Sequence, residues 1–439
     1  MRSSRSSTPG CARGEYSVAL LEIRNLRTYY RVRKGQVKAV DGVDFTADRS
    51  KTVGLVGESG CGKTTLAFGI LQILPSNARI VTGEVRVGGE LVFRAPLTHE
   101  LKFLLDQDGS ARAAQDMLAM RAAGMPADKA SMAANELMPI LQQEASLIED
   151  AQAMIAHGQA DPDTLKRDLL DLVDRRERAW NRGFTRRAIQ RSQRNRMQTM
   201  RWSQVSMIFQ GAMNAFNPVY RVGDQIEEAL EAHMDMTSEE RQARIQELFK
   251  LVGMTADRSD GYPHEFSGGM KQRAMIAMAL ACKPDLIIAD EPTTALDVIM
   301  QDRILGEIRD LQRELDLAMM IITHDISVVA EVSDRIVIMY AGEIVEEGST
   351  ESVFETPSHP YTIGLLEAFP SVKGPKKKLR AIPGSPPDLV SPPSGCRFHP
   401  RCRFAQDICT RERPELIEVD AGHRSRCHFA KEIFDGSLG

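Results

Sequence analysis

The sequence predicts an α/β domain built on a mostly parallel sheet, with a nucleotide-phosphate loop at the end of one strand. Three observations carry this. The stretch GESGCGKTT (57–65) follows a short apolar strand and opens a helical run. A second apolar strand, LIIA (286–289), ends in the acidic pair Asp290 and Glu291. Along the chain, strand-like and helix-like segments alternate, the pattern of a parallel sheet flanked by helices.

Each element follows from its residues. YSVALLEIRNL (16–26) and KAVDGVDFTAD (38–48) alternate with period two and read as antiparallel strands, and KTVGLVG (51–57) reads as a buried strand entering the glycine turn. KTTLAFGILQIL (63–74) has helical spacing, stopped by Pro75, and GEVRVGGELVF (83–93) returns to strand character. From about 95 to 195 the chain is rich in Ala, Met, Leu and Gln, with breaks near Pro126, Pro139, Gly158 and Pro162, and reads as an inserted module of short helices. Residues 100–174 carry 14 acidic and 6 basic side chains, whereas 175–201 carry ten arginines and one acid, Glu177. A solvated helix face is the ordinary reading of such runs; a basic contact with a membrane or acidic partner is the other. WSQVSMIFQ (202–210) is a predicted strand and 222–252 a helical stretch. Further strands are predicted in KPDLIIADEP (283–292), LAMMIITHD (317–325) and DRIVIMYAGEIVEEG (334–348). The segment IPGSPPDLVSPPSG (382–395) reads as an extended linker. The resulting division is a flexible tail at 1–19, a nucleotide-binding domain at 20–348 interrupted by the 95–195 insertion, and a C-terminal extension at 349–439.

Composition bounds the partners. The chain has 439 residues, 42% hydrophobic and 26% charged, enough for two or three domains with real cores. A net charge of −4 gives no overall electrostatic argument for nucleic acid, and none is expected as a partner. The N-terminal tail lacks the apolar stretch of a signal peptide, and no apolar run approaches the roughly 20 residues that span a bilayer. The expected place is the cytoplasm, with membrane association only through partners. In that reducing compartment the seven cysteines read as metal ligands or core residues rather than disulfides.

The phosphate loop fits the pattern G-x-x-x-x-G-K-[ST] through Gly57, Gly62, Lys63 and Thr64, in the strand-to-helix context the pattern needs. Ser59, Gly60, Cys61 and Thr65 complete the cradle. Glycines let backbone N–H groups converge on phosphate oxygens, and the following helix start adds its positive dipole end. Lys63 is placed for the β- and γ-phosphates of ATP and Thr64 for Mg²⁺. Asp290 suits Mg²⁺, and Glu291 suits an attacking water. Tyr30, 27 residues before Gly57, is a candidate to stack on adenine, with Tyr29 as the fallback and a plain core role competing. Cys61 inside the loop reads as a small filler.

FSGGMKQR (266–273), followed by ADEPTTALD and IITHD, resembles the ATPase subunit of an ABC transporter. The resemblance implies a P-loop (RecA-like) core with an antiparallel β subdomain and a helical subdomain. It implies that Gln210 touches Mg²⁺ and the membrane partner, and that Ser267, Gly268, Gly269 and Met270 form the signature that closes on the nucleotide of a second ATPase subunit. It also implies that Asp297 lies at the dimer contact and that His324 is the switch histidine. Both roles are chemically sensible: a serine and two glycines at a helix start offer donors to an anion, and histidine hydrogen-bonds a γ-phosphate. QGAMNAFNPVYRVGDQI (210–226), YPHEFSGGMKQR, HPYTIGLL (359–366) and IPGSPPDLVSPPSGCRFHPRC (382–402) narrow the resemblance to oligopeptide/dipeptide importer ATPases with a cysteine-bearing tail. Met270 stands where glutamine is common, and the insertion departs from the short link of the family. Such subunits pair with a related ATPase, two permeases and an extracytoplasmic solute-binding protein, at the cytoplasmic face of the cell membrane. Nickel or oligosaccharide import is the alternative within the branch. Outside it stand a soluble DNA-repair-type ABC ATPase and a cytosolic ABC translation factor.

Cys396, Cys402, Cys409 and Cys427 are spaced C-x5-C-x6-C-x17-C. In a cytosolic tail with little apolar content to fold around, they suggest an organising metal. Structural zinc prefers ligand pairs two to four residues apart. Wider loops suit a larger cluster, and the resembling importer subunits carry a 4Fe-4S cluster; zinc remains the alternative. His399, His423 and His428 read as neighbours or surface residues rather than ligands.

Overall fold

The computed structural model describes residues 19–95, 196–211, 215–294, 297–368 and 381–438. The expected flexible tail (but for Ala19) and inserted helical module (but for Ala95) lie outside the described residues.

Strands β1 (Leu21–Val32) and β2 (Gly35–Ala47) pair antiparallel, as their period-two pattern predicts. β3 (Thr52–Val56) is buried over all five residues and runs into the glycine loop and helix α1 (Lys63–Leu71). The predicted strand at 83–93 is two strands, β4 (Ala78–Val87) and β5 (Glu90–Arg94), because Gly88 and Gly89 both turn through positive φ (58° and 83°). With β1 and β2 they make a four-stranded sheet in the order β2-β1-β4-β5. Helix α1 ends at Leu71, where Gln72 turns left-handed (φ 54°), short of Pro75.

The second sheet begins with β6 (Val205–Ile208). The helical stretch at 222–252 is split into α2 (Val222–His233) and α3 (Ser238–Leu251). Thr237 starts α3 by accepting from the Glu240 N–H, while the Glu240 side chain accepts from the Thr237 N–H. Helix α4 (Gly268–Ala279) leads to β7 (Leu286–Asp290), α5 (Val298–Glu314) to β8 (Ala318–Thr323), and α6 (Ile326–Val332) to β9 (Arg335–Tyr340). β9, β3, β8, β7 and β6 are parallel neighbours in that order, and β3, β7 and β8 are buried along their whole length, which is why they read as unbroken apolar runs. The predicted strand at 334–348 is a hairpin: Ala341 and Gly342 (φ 49° and 85°) reverse β9 into β10 (Glu343–Ser349).

The C-terminal extension departs most from expectation. After α7 (Thr350–Glu355) and α8 (Pro360–Ala368), and beyond α9 (Asp407–Arg411), strands β11 (Ile417–Asp420) and β12 (His423–Ser425) join the same sheet; α10 (Ala430–Phe434) follows. β12 lies antiparallel on β10, with Ser425 opposite Glu346, giving the order β11-β12-β10-β9-β3-β8-β7-β6. The tail is not poor in core either. Tyr361, Leu365 and Phe398 pack with Val56, Ile338 and Tyr340 in one buried cluster. The stretch around Pro383 is not a free linker: the Leu389 carbonyl accepts from the Lys38 N–H (3.0 Å), and Ile382 packs on that cluster.

Candidate functional site

The loop between β3 and α1 is glycine where nothing else fits. A Cβ on Gly57 would lie 2.1 Å from the Met339 carbonyl oxygen, and Gly62 combines φ 109° with a Cβ position 1.9 Å from the Ala39 carbonyl. The Lys63 ammonium, 6% exposed, donates to the carbonyls of Gly57 (2.6 Å) and Glu58 (3.1 Å). Cys61 is buried beside it, and burial pushes its thiol pKa up, so it is a neutral filler as its sequence context predicts. Tyr30 is half-buried with its hydroxyl 3.1 Å from the Thr65 hydroxyl, at the start of α1. Tyr29 is buried and donates to Asp41 (2.7 Å), so it is a core residue.

Parallel register carries Asp290 and Glu291 to the same end of the sheet as this loop. Asp290 is 1% exposed and hydrogen-bonds Thr64. Burial pushes its pKa up, the charge of Glu291 adding to this and Lys63 and Thr64 opposing it. Its Oδ1 is buried with no hydrogen-bond partner, the kind of orphaned oxygen that a hard cation satisfies. The donor set of Thr64 and Asp290 therefore fits Mg²⁺.

Glu291 follows in a left-handed conformation (φ 47°) that a side chain of its size rarely adopts, a strain of about 1–3 kcal/mol. It aims the carboxylate into three donors. Oε2 accepts from Gln210 Nε2 (2.7 Å) and Thr294 Oγ1 (2.9 Å), and Oε1 lies 3.1 Å from His324 Nδ1. Burial raises its pKa, but the bonds from His324 and Thr294 and the charges of His324 and Lys63 outweigh it and hold the carboxyl below its ordinary value. Three residues predicted from segments 114 positions apart, Gln210, Glu291 and His324, thus meet in one cluster. Thr294 was not anticipated; its position three residues after Glu291, in a turn, is the only local signal.

The predicted signature and dimer-contact residues lie at two helix starts, Ser267 and Asp297 exposed and Gly269 buried. Ser267 caps α4, its hydroxyl accepting from the Met270 N–H (3.4 Å), with Gly268 and Gly269 in the first turn. Asp297 caps α5 by accepting from the Met300 N–H (2.9 Å). A Cβ on Gly269 would lie 2.6 Å from Met300 Cε, so the two helix starts touch.

The four C-terminal cysteines are free, and each belongs to the docked extension. Three stand two residues before a phenylalanine, and in each the sulfur accepts that residue's N–H: Phe398 to Cys396, Phe404 to Cys402 and Phe429 to Cys427. Burial pushes the thiol pKa of Cys396 up to about 11 and of Cys427 up to about 12, and the charges of Cys396, Cys402 and Cys409 all bear on Cys427. Among the described residues no three His, Cys, Asp or Glu side chains are arranged to hold a single metal ion. His399 and His428 bond backbone carbonyls of Cys396 and Glu412. His423 is not a surface neighbour but a core residue, 1% exposed and bonded to Glu346 (2.8 Å).

The phosphate loop, the acidic strand end and the capped glycine helix occur together in known proteins. The ABC transporter family model matches residues 40–161 and 177–294. The chain belongs to the ABC transporter family. It is an ATPase of that family. A second model, the C-terminal region of oligopeptide/dipeptide transporters, matches residues 345–409. The chain is 34% identical to the oligopeptide transport ATP-binding protein AppD of Bacillus subtilis, over 94% of this chain and 97% of that one. It is also 34% identical to the oligopeptide transport ATP-binding protein OppD of Salmonella typhimurium, over 93% of each. None of the helices among the described residues is long and apolar enough to cross a membrane.

Proposed function

We propose that this ABC ATPase hydrolyses ATP to drive import of oligopeptides or dipeptides through partner permeases, with Glu291 as the base. The convergence of Gln210, Thr294 and His324 on the Glu291 carboxylate carries the mechanistic part of this reading. The match of residues 345–409 to the peptide-transporter C-terminal region supports the cargo.

In this mechanism the N–H groups of the loop and Lys63 cradle the phosphates, and Tyr30 stacks on adenine at the start of α1. Thr64, Asp290 and Gln210 would hold Mg²⁺, which would supply neutralisation of the phosphate charge. Glu291, kept ionised by its donors, orients water and accepts its proton, and His324 hydrogen-bonds the γ-phosphate as it leaves. Ser267, Gly268, Gly269 and Met270 act on the nucleotide of a second, related ATPase subunit, with Asp297 at that contact. Two permeases and an extracytoplasmic solute-binding protein complete a complex whose ATPases sit on the cytoplasmic face of the membrane.

We infer further that the four cysteines hold a 4Fe-4S cluster, with zinc as the alternative. Their wide C-x5-C-x6-C-x17-C spacing, and the N–H groups of Phe398, Phe404 and Phe429 that donate to three of the sulfurs, support that reading. Anaerobically purified protein should contain about four irons and four sulfides and lose them in Cys402→Ser; one equivalent of zinc without iron would replace the cluster by a zinc site.

The function is tested by reconstituting the complex in vesicles. ATP-dependent uptake of a labelled peptide library, lost in Glu291→Gln, is the expected result. Uptake of nickel or an oligosaccharide with none of peptide would overturn the cargo, and ATPase activity stimulated by DNA without permeases would overturn the importer.

A further inference from the structure

Glu58, the second residue of the phosphate loop, is gripped from outside the loop at both its backbone and its side chain. Its carbonyl accepts from Lys63 (3.1 Å) and from the Cys61 N–H (3.2 Å), within the loop. Its own N–H donates to the Tyr361 hydroxyl (2.9 Å), and its carboxylate takes both arms of the Arg401 guanidinium (2.6 and 2.9 Å). Tyr361 and Arg401 both come from the C-terminal extension, roughly three hundred residues along the chain, beyond the ATPase motifs.

The guanidinium is fixed before it meets Glu58. Arg401 Nε donates to the Pro383 carbonyl (2.8 Å) and Nη1 to the Tyr340 hydroxyl (3.2 Å), and the side chain is 5% exposed. Tyr361 is fully buried, its ring 4.6 Å from that of Tyr340 and 5.4 Å from that of Phe398. A planar donor already held by two partners presents a bidentate fork at little further entropic cost. The other end of the loop is held similarly. Arg397, next to Cys396, donates to the Ala341 carbonyl (2.5 Å) and pairs with Asp41 and Glu343; the adjacent Gly342 N–H donates to the Cys61 carbonyl (2.8 Å).

We propose that the C-terminal extension is a clamp on the nucleotide site, with Arg401 as a positioning residue that holds and neutralises Glu58 so that the phosphate loop accepts ATP. Two physical effects act together. A loop held in its binding shape does not spend affinity on being ordered, since apparent affinity scales with the fraction of molecules already competent. An unpaired carboxylate beside the phosphate cradle repels a polyanion, and Arg401 cancels it.

The test uses the full-length subunit, with N-methylanthraniloyl-ATP as the fluorescent probe. Arg401→Met is expected to weaken binding about tenfold, and Arg401→Met with Glu58→Gln no more than Arg401→Met alone, because the two side chains act through one contact. In the assembled complex the KM for ATP should rise while kcat at saturating ATP stays within about twofold, the signature of lost uniform binding. Arg401→Lys should recover part of the loss. If Arg401→Met does not fold, Tyr361→Phe decides, since it frees the Glu58 N–H without changing any charge; it is expected to weaken binding several-fold. Wild-type affinity in the folded variants, or losses that multiply in the double variant, would overturn the clamp. The inference rests on residues 57–64 being the nucleotide loop, so Lys63→Ala is measured alongside. Wild-type binding in Lys63→Ala would refute that loop reading, whereas lost binding in Lys63→Ala with none lost in Arg401→Met would refute only the clamp.

Discussion

At the residue scale, Glu291 is the proposed base, and its neighbours decide its state. Each of its hydrogen bonds favours the carboxylate over the acid, and bonds to a charged group contribute about 1.5–3 kcal/mol. Thr294→Val, which keeps the shape and removes one donor, should lower kcat in the assembled complex roughly tenfold or more by that figure, with ATP affinity little changed. It should also move the acid limb of the pH profile. A carboxylate held below its usual pKa stays ionised until pH falls through that lowered value, so removing a donor raises the pKa and shifts the limb to higher pH. An unmoved limb and an unchanged kcat would take Thr294 out of the site. The residues legible in sequence, Lys63, Thr64, Asp290 and Glu291, are those whose chemistry is written in contiguous motifs. Arg401 and Tyr361 were not, because their partner Glu58 is reached only through the fold, and Thr294 was not, because only the turn after Glu291 brings its hydroxyl back to that carboxylate.

At the element scale, β10 is the seam between the ATPase core and the extension. The Glu346 carboxylate, fully buried, accepts from the Ser358 N–H (2.6 Å) and hydroxyl (2.8 Å), the His359 N–H (3.0 Å) and His423 Nε2 (2.8 Å). One side chain on β10 therefore latches the start of α8 and the strand β12. Glu346→Ala leaves those donors buried and unpaired and should cost about 3–5 kcal/mol, seen as a lower Tm and faster hydrogen exchange at 423–425. Unchanged exchange there would show that the latch does not hold β12. His359 beside it is buried, and burial outweighs the attraction of Glu346 to lower its pKa to about 4. A histidine depressed in this way stays neutral in the fold. The unfolded chain binds the proton first, so stability is complete above about 6.5 and falls by about 3 kcal/mol as pH drops toward 4. Replacing it in His359→Asn should flatten that part of the pH dependence of Tm; an unaltered slope would assign the acid loss to other groups. HPYT was visible in the sequence, but its docking onto β10 was not. Likewise the breaks at Gly88–Gly89 and Ala341–Gly342 turn on backbone sign, which alternating hydrophobicity does not report.

At the scale of the whole molecule, one sheet runs from β6 at the ATPase edge to β11 in the extension, so nucleotide loop, acidic strand end and cysteine-bearing tail share a single framework. The parallel core was legible because buried strands leave apolar runs; the tail was read as separate because its largest cluster is shared with β3, β9 and β10, leaving only a small cluster around Ala430 and Ile433 built from its own residues. Truncation after residue 348 should therefore expose Val56, Ile338 and Tyr340 and abolish ATP binding along with the fold, whereas deletion of 100–195, which holds no ATPase motif, should leave hydrolysis measurable. The most direct test of the central claim is the paired measurement of steady-state ATP hydrolysis and equilibrium MgATP binding for Glu291→Gln in the assembled complex. The account predicts hydrolysis reduced at least about a hundredfold with ATP affinity within a few-fold of wild type; hydrolysis near the wild-type rate would contradict it.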